Sequence, residues 1–254
     1  MIEFGHGTPL VVIPGMPGPW RFVAPAVHAL SRHFRVFTLS LGPECTIDSD
    51  VARIMSTLDQ RGIDRAVICG VSLGGLIAVR FAARYPQRTA ALVLVSSPGP
   101  GATLRPRHRF YARWPWLGGP LLMLETPVLL WRELRWSQLK MMLGRPVSFA
   151  KMAKRALLID STDIAADCTR LAAPTLVVTG EPPLDRIVSV ESTLGYLRAI
   201  RGATHVQMDD TGHLGSITHA SEFAHIVSDF AGRPFQGRRG AWPERPGLQE
   251  PGAA

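Results

Sequence analysis

In the run Gly70-Val71-Ser72-Leu73-Gly74-Gly75 a single hydroxyl stands with a glycine two residues to either side, the pattern G-x-S-x-G. Apolar residues 66–69 precede it, and Ala78, Phe81 and Ala82 follow at helical spacing, so the serine falls between a strand and a helix. Such a turn holds the serine backbone in strain and pushes its hydroxyl outward, while the glycines let strand and helix approach without a Cβ clash. The backbone N–H of Leu73 then sits at a helix N-terminus, where the dipole favours a developing oxyanion. This is the chemistry of a nucleophilic Ser72 attacking a carbonyl. It requires a base, and a neutral imidazole suits that role near pH 7. The motif alone is weak in a chain with 24 glycines, and a glycine turn carrying an incidental serine is the rival reading.

The elements that must hold this serine follow from the hydrophobic period. Short apolar runs predict strands at 10–13, 34–39, 66–69, 91–95, 175–178 and 205–208. Helical spacing fills the intervals at 21–32, at 51–58 with Asp48 or Ser49 as N-cap, from the serine turn to Arg84, at 190–200 and at 217–231. Alternation of this kind implies a mostly parallel sheet flanked by helices, an α/β fold. Residues 98–173 lack strand patterning and hold four of the six tryptophans, Trp114, Trp116, Trp131 and Trp136. So long an excursion between two strands reads as a helical cap laid over the strand ends. Beyond residue 231, Gly, Pro and Arg dominate, which predicts a disordered tail over 232–254.

Over residues 7–231 the chain resembles an α/β-hydrolase of the serine-nucleophile branch. Gly7-Thr8-Pro9-Leu10-Val11-Val12-Ile13-Pro14-Gly15-Met16 is similar to the strand and oxyanion loop of that family, with Pro14 where a histidine is common. The resemblance implies that the backbone N–H groups of Met16 and Leu73 form the oxyanion hole. It also implies that His213, in Asp210-Thr211-Gly212-His213-Leu214, is the base, with His205 and His219 as nearby rivals. The family's Gly-x-x-Asp pattern is matched by Gly180-Glu181-Pro182-Pro183-Leu184-Asp185 with the aspartate two residues late, so Asp185 is the expected acid and Glu181 its rival. The order Ser72, Asp185, His213 is that of the fold. Only Ile2, Glu3 and Phe4 supply a candidate strand before the oxyanion loop, which implies a truncated N-terminal edge. The expected layout is a core at 1–97 and 174–231, a cap at 98–173 and a tail at 232–254. The implied reaction is acyl transfer from a small or medium apolar carboxylic ester to water, with no cofactor and no metal. C–C bond hydrolase, thioesterase and lactonase chemistry use the same triad, and a non-catalytic ligand-binding member is a further alternative. Serine at the nucleophile position argues against the dehalogenase and epoxide-hydrolase branches.

Composition narrows the remaining classes. With 46% hydrophobic and 19% charged residues, 254 residues suffice for a large core without a disulfide or metal staple. Cys45, Cys69 and Cys168 are widely spaced and odd in number, and predict free thiols in a reducing compartment. No basic segment followed by an apolar run opens the sequence, and the apolar stretch at 121–131 is broken by Glu125 and Pro127. The expectation is a cytoplasmic protein without integral membrane association. Of the net charge of +8, residues 98–173 contribute 12 Lys and Arg against 5 Asp and Glu. Base-reading modules are absent, so the partner is expected to be a small-molecule ester or related acyl substrate rather than nucleic acid. Arg105, Arg107, Arg109 and Arg113 read as a solvated face, with attraction of an anionic substrate or surface as the alternative. The oligomeric state is left open.

Overall fold

The computed structural model describes residues 1–114, 116 and 148–231. Strands β1 (Ile2–Phe4), β2 (Pro9–Ile13), β3 (Arg35–Thr38), β4 (Ala66–Val71), β5 (Thr89–Val95), β6 (Thr175–Thr179) and β7 (Thr204–Gln207) form one sheet in the order β1-β3-β2-β4-β5-β6-β7. From β3 to β7 every neighbouring pair is parallel; β1 runs antiparallel to β3, with Ile2 opposite Thr38 and Phe4 opposite Val36. The β1 edge is a three-residue strand. Its Glu3 bridges Arg35 and Arg61, and so short and charged an edge discourages pairing with another chain.

Alternate residues of each strand feed two separate cores. Leu10 and Val12 of β2 join Val67, Val93, Phe223 and Val227 on one face, beneath helices α1 (Ala24–Leu30) and α9 (Ala220–Ala231). Val11 and Ile13 join Ile68, Leu92, Ile54 and Phe81 on the other, beneath α2 (Ile47–Gln60), α3 (Gly74–Arg84) and α7 (Val190–Ala199). Every residue of β4 and β5 is buried, and each large apolar side chain contributes about 1.5–3 kcal/mol. The chain winds from β2 to β3 in one direction and from β4 to β7 in the other. Loops leaving the carboxyl ends of β2 and β4 therefore diverge and open a crevice between them.

Local chemistry moves some boundaries. Helix α2 is capped by Thr46, whose Oγ1 accepts from the Ser49 N–H at 3.2 Å, rather than by Asp48 or Ser49. Asp48 and Asp50 instead lie in the first turn, where they complement the helix dipole. The helix expected at 21–32 opens as a 3-10 turn, Trp20–Val23, before α1. The final helix is two: α8 (Gly215–Thr218) stops at His219 before α9, and the Thr218 hydroxyl bonds back to the Leu214 carbonyl at 3.2 Å, a local competitor of helical pairing.

Between β5 and β6 the described residues form α4 (Pro106–Arg113), α5 (Phe149–Ser161) and α6 (Ala165–Thr169) and no strand. Arg109 pairs with Asp160 at 2.6 Å, tying α4 to α5, and Arg80 on α3 pairs with Asp167 on α6. Trp114 and Trp116 are exposed. Trp131, Trp136 and the tail at 232–254 lie outside the described residues. Cys45, Cys69 and Cys168 are buried and unpaired. Among the described residues no helix is long and apolar enough to cross a membrane.

The start of α3 is the tightest joint in the crevice. A Cβ on Gly74 would stand 2.4 Å from the Ile13 carbonyl oxygen and 2.8 Å from that of Pro14, both backbone atoms. Gly74→Ala is expected to cost about 1–3 kcal/mol. At about 2–4 °C per kcal/mol for a chain of this size, the melting midpoint should fall by several degrees in a calorimetric scan. An unchanged midpoint would show that the loop after β2 can give way.

Candidate active site

Ser72 occupies the turn between β4 and α3 with φ 53°, in the left-handed region that costs a residue bearing a Cβ about 1–3 kcal/mol. Two hydrogen bonds hold it there: its N–H donates to the Val95 carbonyl at 2.8 Å, and its carbonyl accepts from Gly75 N–H at 2.9 Å. Val71 and Leu73 on either side are buried, and only Ser72 is partly exposed. Gly15, from the loop after β2, lies against it, a Cβ position there being 3.1 Å from that of Ser72. Met16 follows at once. Among the described residues neither the Met16 nor the Leu73 N–H donates a hydrogen bond.

His213 stands on the loop between β7 and α8, 6% exposed. Its Nε2 lies 3.1 Å from Ser72 Oγ, and its Nδ1 lies 3.2 Å from Asp185 Oδ2. With its proton on Nδ1 the ring donates to the carboxylate and turns the Nε2 lone pair to the serine hydroxyl. Asp185, 4% exposed, spends its other oxygen on the N–H groups of Ile187 and Val188, at 3.1 and 3.0 Å. The carboxylate is thus fixed by backbone before it meets the imidazole.

The late aspartate is accommodated by a turn, in which the N–H groups of Leu184 and Asp185 both donate to the Glu181 carbonyl at 3.0 Å. Gly180 brings the acid loop directly onto the histidine loop; a Cβ there would lie 2.4 Å from the Thr211 carbonyl oxygen. Glu181, the rival acid, points elsewhere: its side chain accepts from the Asp210 N–H at 2.8 Å. The rival histidines are also occupied. His205 Nε2 lies 2.9 Å from Thr179 Oγ1, and burial lowers its pKa, while His219 bonds Thr218. Burial pushes the thiols of Cys69 and Cys168 up to about 12, so neither is a thiolate nucleophile at neutral pH. No group of His, Cys, Asp and Glu fit to hold a metal occurs among the described residues.

The profile of the Alpha/beta hydrolase family matches residues 6–226. The chain belongs to that family. Its relatives are hydrolases of more than one kind. A 2-hydroxymuconate semialdehyde hydrolase from a Pseudomonas species is 30% identical over 90% of this α/β-hydrolase and 88% of that protein. A pimeloyl-(acyl-carrier protein) methyl ester esterase from Nitrosomonas europaea is 25% identical, with 69% of this chain and 77% of that one covered. The crystal structure of the enol-lactonase from Burkholderia xenovorans superposes with a TM-score of 0.73 at 24% identity, covering 90% and 94% of the two chains, a likeness of fold.

One residue of this α/β-hydrolase that contacts the site's loops has no counterpart in the sequence reading. Arg155 of α5 is 4% exposed and donates to four backbone carbonyls, two of them on the loop that carries Met16. Its signal was positional: Met152, Arg155, Ala156 and Ile159 share one helical stripe, and an arginine in such a stripe is buried with it.

The hydrogen-bond assignment separates the two carboxylates. Asp185→Asn keeps the size of the acid but removes the charge beside Nδ1, and is expected to lower kcat at least about a hundredfold with a much smaller change in KM. Glu181→Gln, acting on a loop N–H, should change kcat by less than about tenfold. Steady-state hydrolysis by the two variants gives the comparison, and equal losses would contradict it.

Proposed function

We propose that this chain is a serine hydrolase that cleaves a small or medium apolar carboxylic ester through an acyl-enzyme. The observation that carries the reading is the continuous relay from Ser72 Oγ to His213 Nε2 at 3.1 Å and from His213 Nδ1 to Asp185 Oδ2 at 3.2 Å, built on a left-handed serine. Ser72 Oγ attacks the carbonyl as its proton passes to His213 Nε2, and the carbonyl oxygen becomes an anion facing the Met16 and Leu73 N–H groups. Asp185 stabilises the imidazolium and keeps its orientation. Collapse of the intermediate breaks the ester C–O bond, and His213 returns the proton to the departing alcohol. Water then attacks the acyl-Ser72 carbonyl with His213 as base, releasing the acid and the serine hydroxyl. No step calls for a metal or cofactor.

A second reading has support of its own. The 30% identical relative is named for 2-hydroxymuconate semialdehyde, which favours hydrolysis of a carbon–carbon bond next to a ketone by the same three residues. The segment between β5 and β6 would form the cap in either case, since Met16 packs against its cluster of Ala112, Ala153 and Ala156. Three buried, unpaired thiols support placement in a reducing, cytoplasmic compartment.

A fluorophosphonate probe should label Ser72 and little else. Turnover of p-nitrophenyl esters of graded length, set beside a 2-hydroxy-6-oxo-dienoate, should identify the preferred bond, and either activity should vanish in Ser72→Ala. Labelling that persists in Ser72→Ala would overturn the nucleophile, and labelling without turnover of any substrate would favour a ligand-binding role.

A further inference from the structure

Pro14 opens the loop that carries Met16 without an N–H and without a polar side chain. Within the loop, Gly18 N–H donates to the Gly15 carbonyl at 3.0 Å, and the Gly18 carbonyl accepts from Leu41 N–H at 2.8 Å. The rest of its support comes from outside the sheet. Arg155 reaches in from α5: Nη1 donates to the carbonyls of Pro17 at 3.0 Å and Met16 at 3.4 Å, and Nη2 to those of Gly42 at 3.1 Å and Leu41 at 3.3 Å. The guanidinium lies so close to Gly18 that a Cβ there would stand 2.0 Å from Nη1.

Among the described residues Arg155 forms no direct ion pair with a carboxylate. A buried cation in that position is costly unless dipoles replace water around it. Four carbonyls do so here, from two loops, one after β2 and one after β3, and the buried Asp50 carboxylate, which accepts from the Gly42 N–H, adds an attraction at longer range. A planar fork bonded to both fixes the tilt of their peptide planes in a way that a flexible ammonium does not. Holding the Met16 carbonyl restricts the backbone of the residue whose N–H is the proposed oxyanion donor. The Met16 side chain is gripped as well, packing against Ala153 and Ala156 of α5 and Ala112 of α4. Backbone and side chain of residue 16 thus both meet helices of the β5–β6 segment.

We propose that Arg155 is a positioning residue for the oxyanion site, linking the placement of α5 to the direction of the Met16 N–H. The inference rests on the serine-hydrolase reading above. An oxyanion donor acts through its placement, and loss of one such donor costs about 10²–10³ in kcat, so its displacement should cost a fraction of that.

Arg155→Met and Arg155→Lys are compared with the unsubstituted chain on p-nitrophenyl acetate, a substrate without a carboxylate. Binding of a trifluoromethyl ketone, whose adduct with serine carries an oxyanion, is measured beside it. Arg155→Met should lose about tenfold to a hundredfold in kcat with KM changed less than about threefold. Ketone affinity should fall by a similar factor. Arg155→Lys, which keeps the charge but not the fork, should fall between the two, and carries the same comparison if Arg155→Met does not fold. A folded Arg155→Met with undiminished kcat overturns the inference alone. So does a loss confined to KM for carboxylated substrates, because the guanidinium would then contact substrate instead of the loop. An unsubstituted chain without Ser72-dependent turnover of the ester overturns the serine-hydrolase reading first, before any Arg155 variant is compared.

Discussion

Ser72 keeps a left-handed backbone because three elements close on it at once: β4 delivers it, α3 starts two residues later, and β5 takes its N–H through the Val95 carbonyl. An isolated turn would relax out of that region, since a side chain at positive φ is strained whatever follows. The sheet supplies the opposing force through β4 and β5, buried along their whole length. From this one constraint the rest of the site takes its frame. The hydroxyl projects into the crevice where the strand order reverses, and the loop after β2 lies alongside within van der Waals reach.

Charge is handled differently on the two sides of that serine. On one side an imidazole and a carboxylate are both nearly excluded from water, and two backbone N–H groups hold the carboxylate still. On the other a guanidinium is held by four carbonyls, with the buried Asp50 carboxylate near enough to feel its charge. Both arrangements replace mobile water with oriented dipoles, which need not reorganise as charge develops during a reaction. Fixed dipoles thus face charge on both flanks, with the partly exposed serine between them.

The serine was legible in the sequence because strand, glycine turn and helix are local features, all within residues 66–84. The sheet was legible for the same reason: each apolar run reports its own burial. His213 and Asp185 were placed by family pattern, as their partnership spans 28 residues and its distance is set by two loops meeting at Gly180. The two extra residues before Asp185 looked like a defect in the pattern; a turn on the Glu181 carbonyl absorbs them. Arg155 was missed: its place in an apolar helical stripe marks it for burial, but its partners are carbonyls, which leave no trace in residue type. The cap of α2 was missed by two residues because Thr46, Asp48 and Ser49 are all good capping types, and only the backbone conformation chooses among them.

The histidine loop hangs from β7, which among the described residues pairs on one side only and buries none of its four residues fully. Such an edge strand belongs to the low-stability end of a fold, where amides exchange with solvent through local opening instead of global unfolding. Ser72 is anchored in the deepest strands and His213 on the shallowest, so the two report different cooperative units. Warming this protein should detach His213 while the Ser72 turn is still native, and a partly opened species would keep its sheet and its compactness but have no imidazole beside the serine hydroxyl.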